Sequence, residues 1–160
     1  VIHADPHPGN FLLDPDDNIV LLDFGCIRDF PPELADGILH MLDAFWADDM
    51  QRLSDCLRRY RFGRPEMTWP TLEVIREYHQ LILEPVRVDQ AFNYSHWQVH
   101  AKVRAFVRRH PGWLQLVPPA ELLLYFRVLA GMKGLVTRVD AEVNLYRLAK
   151  DASRKRGIIQ

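Results

Sequence analysis

Two regimes of hydrophobic patterning divide the chain near residue 30. Before it, apolar residues come in short runs, Phe11-Leu12-Leu13 and Ile19-Val20-Leu21-Leu22, separated by Asp14-Pro15-Asp16-Asp17-Asn18. Runs of that length around a cluster of Asp, Pro and Asn predict two strands joined by a turn, because those side chains satisfy turn backbone and tolerate its dihedrals. After Phe30 the period becomes helical. Leu34, Ile38, Leu42 and Phe45 recur at three- and four-residue spacing behind Pro31-Pro32. Proline suits a helix's first turn, where its missing N–H would have no partner. Asp48 and Asp49 are placed to cap a second helix carrying Met50, Leu53, Leu57 and Tyr60, which Gly63 and Pro65 end. Further helices are expected over 70–83, 95–109 and 119–138, and Asp140 is expected to cap a sixth that runs into the basic end. The fold class expected is therefore α+β and predominantly α: one domain over 1–160, with strand, loop and hairpin in 1–30 and about six helices in 31–160.

Composition changes this picture little but restricts function. In 160 residues, 48% are hydrophobic and 26% charged, which suits one domain with a real core. A net charge of -1 argues against a nucleic-acid partner, which needs a basic domain or face. Cys26 and Cys56 make no disulfide framework, so a reducing compartment is expected. No charged segment followed by an apolar one opens the sequence, and charged residues break every apolar stretch short of a membrane span. The expected location is the cytoplasm, with peripheral membrane association open through Arg154-Lys155-Arg156, which suits an anionic surface and equally a helix C-terminus. Trp46, Trp69, Trp97 and Trp113 are expected to pack rather than to hold a cofactor.

The chemistry concentrates in His3-Ala4-Asp5-Pro6-His7-Pro8-Gly9-Asn10 and in Leu21-Leu22-Asp23-Phe24-Gly25. The first has the form H-x-D-x-x-x-x-N and the second is D-F-G behind an apolar strand. In kinases these are the catalytic loop and the metal-binding loop. A lone D-F-G arises by chance; the two motifs in order, joined by strand–turn–strand, are specific. If the hairpin is symmetric about the Asp16–Asp17 bond, Leu13 faces Val20, Phe11 faces Leu22 and Asn10 faces Asp23, with Cβ atoms about 5 Å apart. An amide oxygen and a carboxylate would then converge as hard ligands for Mg²⁺, which keeps waters and takes phosphate oxygens. A one-residue slip would send them to opposite faces. Asp5 lies in a loop stiffened by Pro6 and Pro8, with Gly9 permitting a sharp turn. Its carboxylate can there orient a hydroxyl and accept its proton. Asp14, Asp16 and Asp17 read as turn residues. His3 reads as a brace for the loop, His7 has no assignable role, and Cys26 reads as a small packed residue. The H-x-D-x-H spacing of His3, Asp5 and His7 is also that of transition-metal ligands, although Pro6 and Pro8 break the alternation and no second cluster completes a site.

HADPHPGN followed by LLDFG closely resembles the UbiB/ABC1/ADCK atypical kinases, a family tied to ubiquinone and isoprenoid-lipid biology. The later stretch Pro118-Pro119 through Leu122-Leu123-Leu124-Tyr125-Phe126-Arg127-Val128-Leu129-Ala130-Gly131 resembles that family as well. The resemblance implies a protein-kinase-like C-lobe that begins at the catalytic loop. It implies Asp5 as the catalytic-loop aspartate, Asn10 and Asp23 as metal ligands, and Asn10, Asp23, Phe24 and Gly25 as the cofactor-binding set for ATP and Mg²⁺. It implies a nucleotide as ligand and an isoprenoid or quinone lipid, or proteins of ubiquinone biosynthesis, as partners. Helix begins soon after D-F-G and no A-P-E follows, which leaves no room for a long activation loop.

A kinase also needs a phosphate-covering loop and a lysine paired to a helix glutamate. The family's own K-x-G-Q and any G-x-G-x-x-G are both absent from these residues, and Lys102, Lys133, Lys150 and Lys155 all fall in helical regions. The expectation is a fragment, inactive alone, of a Mg–ATP-dependent kinase or ATPase. Two other readings stand beside it. One is a small-molecule kinase of the aminoglycoside/choline kinase type, which shares the H-x-D-x-x-x-x-N motif. The other is a non-catalytic kinase-fold module that grips a lipid or a partner.

Overall fold

Turn-forming aspartates and prolines set most of the element boundaries. The computed structural model describes residues 2–159 and is mostly helical. The helices are α1 (Pro32–Trp46), α2 (Met50–Arg59), α3 (Leu72–Ile82), α4 (Val99–Arg109), α5 (Ala120–Arg138) and α6 (Leu145–Lys155). The strands are β1 (Ile2–His3), β2 (Phe11–Leu13), β3 (Ile19–Leu21), β4 (Ile27–Arg28), β5 (Phe92–Asn93) and β6 (Glu142–Val143). They pair as three two-stranded antiparallel ladders, β1–β4, β2–β3 and β5–β6. The expected hairpin is β2–β3. The other two ladders were not expected, because a two-residue strand carries no periodicity to read.

Helix starts follow capping chemistry. Asp49 accepts from Arg52 N–H at 2.9 Å and opens α2; the Thr71 hydroxyl does the same for α3 through Val74 N–H. Two expected starts are corrected. The fourth helix begins at Val99 rather than Ser95. Asn93 takes the Ser95 N–H at 2.9 Å and holds Tyr94–His96 in a 3-10 turn behind β5. The sixth helix is capped by Asn144, which accepts from Arg147 N–H, and not by Asp140. Asp140 stands at φ 48°, in the left-handed region, and accepts from the Asn93 amide and the Ser95 hydroxyl.

The hairpin register differs from the symmetric one. Phe11 pairs with Leu21, Leu12 with Val20 and Leu13 with Ile19. The turn explains the slip. Asp17 N–H donates to the Asp14 carbonyl and Asp14 N–H to the Asn18 carbonyl, both at 3.1 Å. One carboxylate oxygen of Asp14 collects the N–H groups of Asp16 and Asn18 at 2.9 and 2.8 Å. With Asp17 at φ 61°, three residues lie between the paired ends. That is the three-residue hairpin loop with one left-handed position, and its odd count shifts every pair by one.

The core forms where α1 to α4 meet. Ala44, Phe45, Met50, Leu53, Leu57, Ile75, Phe106 and Trp113 are buried together. Trp46 and Trp69, partly buried, pack beside it and donate their indole N–H groups to the Val86 carbonyl and the Ser54 hydroxyl. The basic end is tied inward. Arg154 pairs with Asp151, and Arg156 pairs with Asp36 on α1. Among the described residues no helix is long and apolar enough to cross a membrane.

The motif-bearing segment lies apart from this core, against α5. Pro6 touches the backbone at Gly131, and the Phe30 and Tyr125 rings stack with centroids 5.4 Å apart. Both faces of the β2–β3 hairpin are open. Leu13 is 71% and Ile19 72% exposed, and Leu12, Val20, Leu22 and Phe24 are exposed with them.

Candidate functional site

A short ladder brings the two motifs together. Ile2 pairs with Arg28 and His3 with Ile27, and Ala4 N–H donates to the Cys26 carbonyl at 2.8 Å. The start of the first motif is thus held beside the residues that follow the second. His3 completes the link. One ring nitrogen, Nδ1, accepts from Asp5 N–H at 3.4 Å, so the proton sits on Nε2, which donates to the Asp23 carbonyl. The expected brace is the observed one, and it joins Asp5 to Asp23 through one imidazole.

Asp5 and Asn10 meet directly. The Asn10 amide donates to the Asp5 carbonyl at 3.0 Å and to the Asp5 carboxylate at 3.3 Å. Both side chains are half-buried. The fold that achieves this is a 3-10 turn over Pro8–Asn10, with Pro8 at its first position. His7 has a role after all. Its Nδ1 accepts from Gly9 N–H at 3.1 Å and caps that turn. The sequence signal was there: His7 precedes proline at the start of a turn, where a side-chain acceptor is wanted.

Asp23, Phe24 and Gly25 form an exposed loop after β3. One Asp23 carboxylate oxygen, Oδ1, accepts from Gly25 N–H at 2.7 Å. Phe24 is 63% exposed and its carbonyl accepts from Ile27 N–H. The slipped register corrects the expected pairing of Asn10 with Asp23. Leu22 N–H donates to the Asn10 carbonyl at 3.0 Å, so Leu22 and not Asp23 stands across from Asn10. Asp23 lies one residue beyond the ladder's reach, and His3 rather than strand pairing ties its backbone to the first motif.

Two oxygens remain available for a cation. The Asn10 nitrogen is used by Asp5, which leaves Asn10 Oδ1, and Asp23 Oδ1 is used by Gly25, which leaves Asp23 Oδ2. An amide oxygen and a carboxylate oxygen are the hard donors that Mg²⁺ takes. A histidine-rich transition-metal site is not built. Both ring nitrogens of His3 and Nδ1 of His7 have backbone partners, and no group of three or more His, Cys, Asp or Glu among the described residues is placed to hold a metal.

Behind this loop α5 contributes residues that the motif reading did not include. A cavity of about 320 Å³ lies between Asp5–Pro8 and the helix face that carries Arg127, Gly131, Gly134 and Arg138. The available signal was the pair of glycines three residues apart inside a helix, each costing about 1 kcal/mol against alanine.

Comparison with known proteins bears on the same segment. The sequence model described as the ABC1 atypical kinase-like domain matches residues 1–57. The chain is 28% identical over 144 residues to the protein ACTIVITY OF BC1 COMPLEX KINASE 3, chloroplastic, of Arabidopsis thaliana; the match covers 86% of this chain and 18% of that protein. It is 30% identical over 139 residues to an uncharacterized protein of Synechocystis, covering 82% of this chain and 31% of that one. A 37-residue stretch is 60% identical to an uncharacterized aarF domain-containing protein kinase, chloroplastic, of Arabidopsis thaliana, covering 23% of this chain and 5% of that protein. The chain therefore spans less than a third of the length of each of these relatives.

Proposed function

Because this chain belongs to the ABC1 atypical kinase-like family, we propose that it is the C-lobe of a Mg–ATP-dependent kinase or ATPase that acts in ubiquinone or isoprenoid-lipid metabolism or its regulation. One observation carries the reading. The Asp5 carboxylate, the Asn10 amide and, through His3, the Asp23 backbone are joined by hydrogen bonds into one site. Asp5 orients an acceptor hydroxyl and takes its proton. Asn10 Oδ1 and Asp23 Oδ2 hold Mg²⁺. When bound, Mg–ATP supplies the transferable phosphoryl group and the charge that offsets its transfer. Gly25 N–H fixes one oxygen of Asp23 and so leaves the other to face the cation. Positioning and charge neutralisation are most of what phosphoryl transfer asks of a protein.

The groups that clamp the nucleotide's phosphates are proposed to come from residues outside these 160. The exposed hairpin side chains Leu12, Leu13, Ile19, Val20, Leu22 and Phe24 are where such a second lobe would pack. Calorimetric titration of Mg–ATP into the full-length protein tests the reading. Binding is expected, with loss in Asp23→Ala and with turnover lost in Asp5→Asn while binding persists. Undiminished turnover in Asp5→Asn would remove Asp5 from the mechanism. Absent binding by the folded protein would favour a non-catalytic module.

A further inference from the structure

The cavity against α5 has features that the motif residues alone do not account for. It is a trough open to solvent, and its volume of about 320 Å³ would admit a headgroup rather than a whole nucleotide. Residues 127, 131, 134 and 138 repeat at helical spacing and share one face of α5. Arg127 and Arg138 lie on that face, with Asp5 and Pro6 opposite. Two guanidinium groups against one carboxylate leave the cavity net positive.

Arg52, Arg76, Arg109, Arg147, Arg154 and Arg156, six of the sixteen arginines, each reach a carboxylate. Arg127 and Arg138 have no carboxylate partner among the described residues. The two glycines also divide in purpose. A Cβ on Gly131 would lie 2.5 Å from Pro6 Cγ, so packing of the loop explains that glycine. A Cβ on Gly134 would meet nothing within 4 Å, so no protein contact explains the second. A helix-interior glycine costs about 1 kcal/mol. Gly134 is exposed, and its missing side chain leaves the trough wider beside the two unpaired guanidinium groups.

We propose that this trough is the acceptor site and that it takes a phosphate-bearing acceptor, with Arg127 and Arg138 on the phosphate and Asp5 on the hydroxyl. Guanidinium forks match phosphate oxygens two at a time, which fixes orientation as well as charge. The inference rests on the kinase reading of Asp5 and names its substrate class. In the transfer, the acceptor's hydroxyl oxygen bonds to the terminal phosphorus of the nucleoside triphosphate. The bond from that phosphorus to the bridging oxygen breaks, the diphosphate leaves with the electron pair, and the hydroxyl proton passes to Asp5. A soluble phosphomonoester and an anionic phospholipid headgroup offer the same chemistry.

The test uses the full-length protein without magnesium or nucleotide. Glycerol 3-phosphate is titrated calorimetrically with glycerol as the neutral control. Phosphatidylcholine vesicles with and without phosphatidylglycerol, whose headgroup carries free hydroxyls, are sedimented in parallel. Binding of glycerol 3-phosphate assigns a soluble acceptor; binding of phosphatidylglycerol vesicles alone assigns a lipid one. In either case Arg127→Gln and Arg138→Gln should each weaken affinity about fivefold, the effect of losing one partly solvated charged hydrogen bond. Arg127→Lys should recover part of that loss, and Gly134→Leu should abolish binding in a protein of unchanged circular dichroism. Wild-type affinity in both arginine variants, or equal loss in Arg104→Gln on α4, overturns the proposal. Mg–ATP titrations separate the two readings. Mg–ATP binding without phosphate binding removes the trough alone, whereas phosphate binding without Mg–ATP binding removes the kinase reading and the acceptor role with it.

Discussion

Replacing Gly131 by alanine sets two opposed effects against each other at one atom. In an unobstructed helix interior, glycine to alanine stabilises by about 1 kcal/mol, because alanine gives up less backbone entropy. Gly134 meets that condition, since nothing lies within 4 Å of the added carbon. Gly131 does not. Its Cβ would sit 2.5 Å from Pro6 Cγ, where ordinary carbon contacts are about 3.5–4.0 Å. Pro6 would have to retreat by about 1 Å, and its ring has no rotamer by which to swing aside. The loop is also held by the Asn10 bonds to Asp5 and by the His3 bridge. Overpacking of this kind costs about 1–3 kcal/mol.

The two alanine variants should therefore differ by about 1–3 kcal/mol, with Gly134→Ala above wild type and Gly131→Ala at or below it. For a chain of this size that separates their thermal midpoints by on the order of 5 °C. Circular dichroism melts give the stabilities, and amide shifts over Ala4–Asn10 report whether the loop has moved. A displacement of about 1 Å at Asp5 would cost on the order of 10²-fold in turnover if Asp5 acts as proposed. Equal midpoints for the two variants, with the loop amides of Gly131→Ala unmoved, would refute the packing of Pro6 on α5 as the device that positions Asp5.

Three further outcomes follow from the fold. Burial holds His79 neutral, lowering its pKa to about 4 against the ordinary 6.5, while its Nδ1–H donates to the Ile75 carbonyl at 2.7 Å. The unfolded chain therefore binds a proton that the folded chain refuses; the stability is whole above pH 6.5 and is lost as pH falls toward 4. Linkage puts the loss between about pH 7.5 and pH 5 at roughly 2 kcal/mol, and urea midpoints of wild type and His79→Leu that ran parallel across that range would contradict it. Asp14→Ala removes the acceptor for two turn N–H groups, so amide protection at Leu13 and Ile19 should fall while the global unfolding midpoint holds; unchanged protection would mean that the carboxylate does not set the register. Phe106, fully buried beside Tyr78, His110 and Trp113, should cost about 3–5 kcal/mol as alanine, and a loss under 1 kcal/mol in urea unfolding would place the core elsewhere.

What the sequence disclosed and what it hid follow from the range of the forces involved. Helices α1 to α3 were legible because a 3.6-residue period and, for α2, the cap at Asp49 act within one turn. That Asp5 and Asn10 share one short loop was legible, because its prolines limit its course, whereas their direct hydrogen bonds were not read. The hairpin register turned on parity, three loop residues rather than four, and that rested on one left-handed aspartate at position 17. An error of one residue there moved Leu22 into the place expected for Asp23. Asp140 illustrates the same limit: its sequence context suits a helix cap, yet Asn93 and Ser95, far away in the chain, take its carboxylate. The α5 wall was hardest to see, because Gly131 and Pro6 meet across more than a hundred residues and no local pattern couples them. Yet a trace remained in the price of the helix itself. A sequence that keeps two glycines inside a 19-residue helix bears a cost at each, and the structure separates their places into a seat for Pro6 at one and open space beside Arg138 at the other.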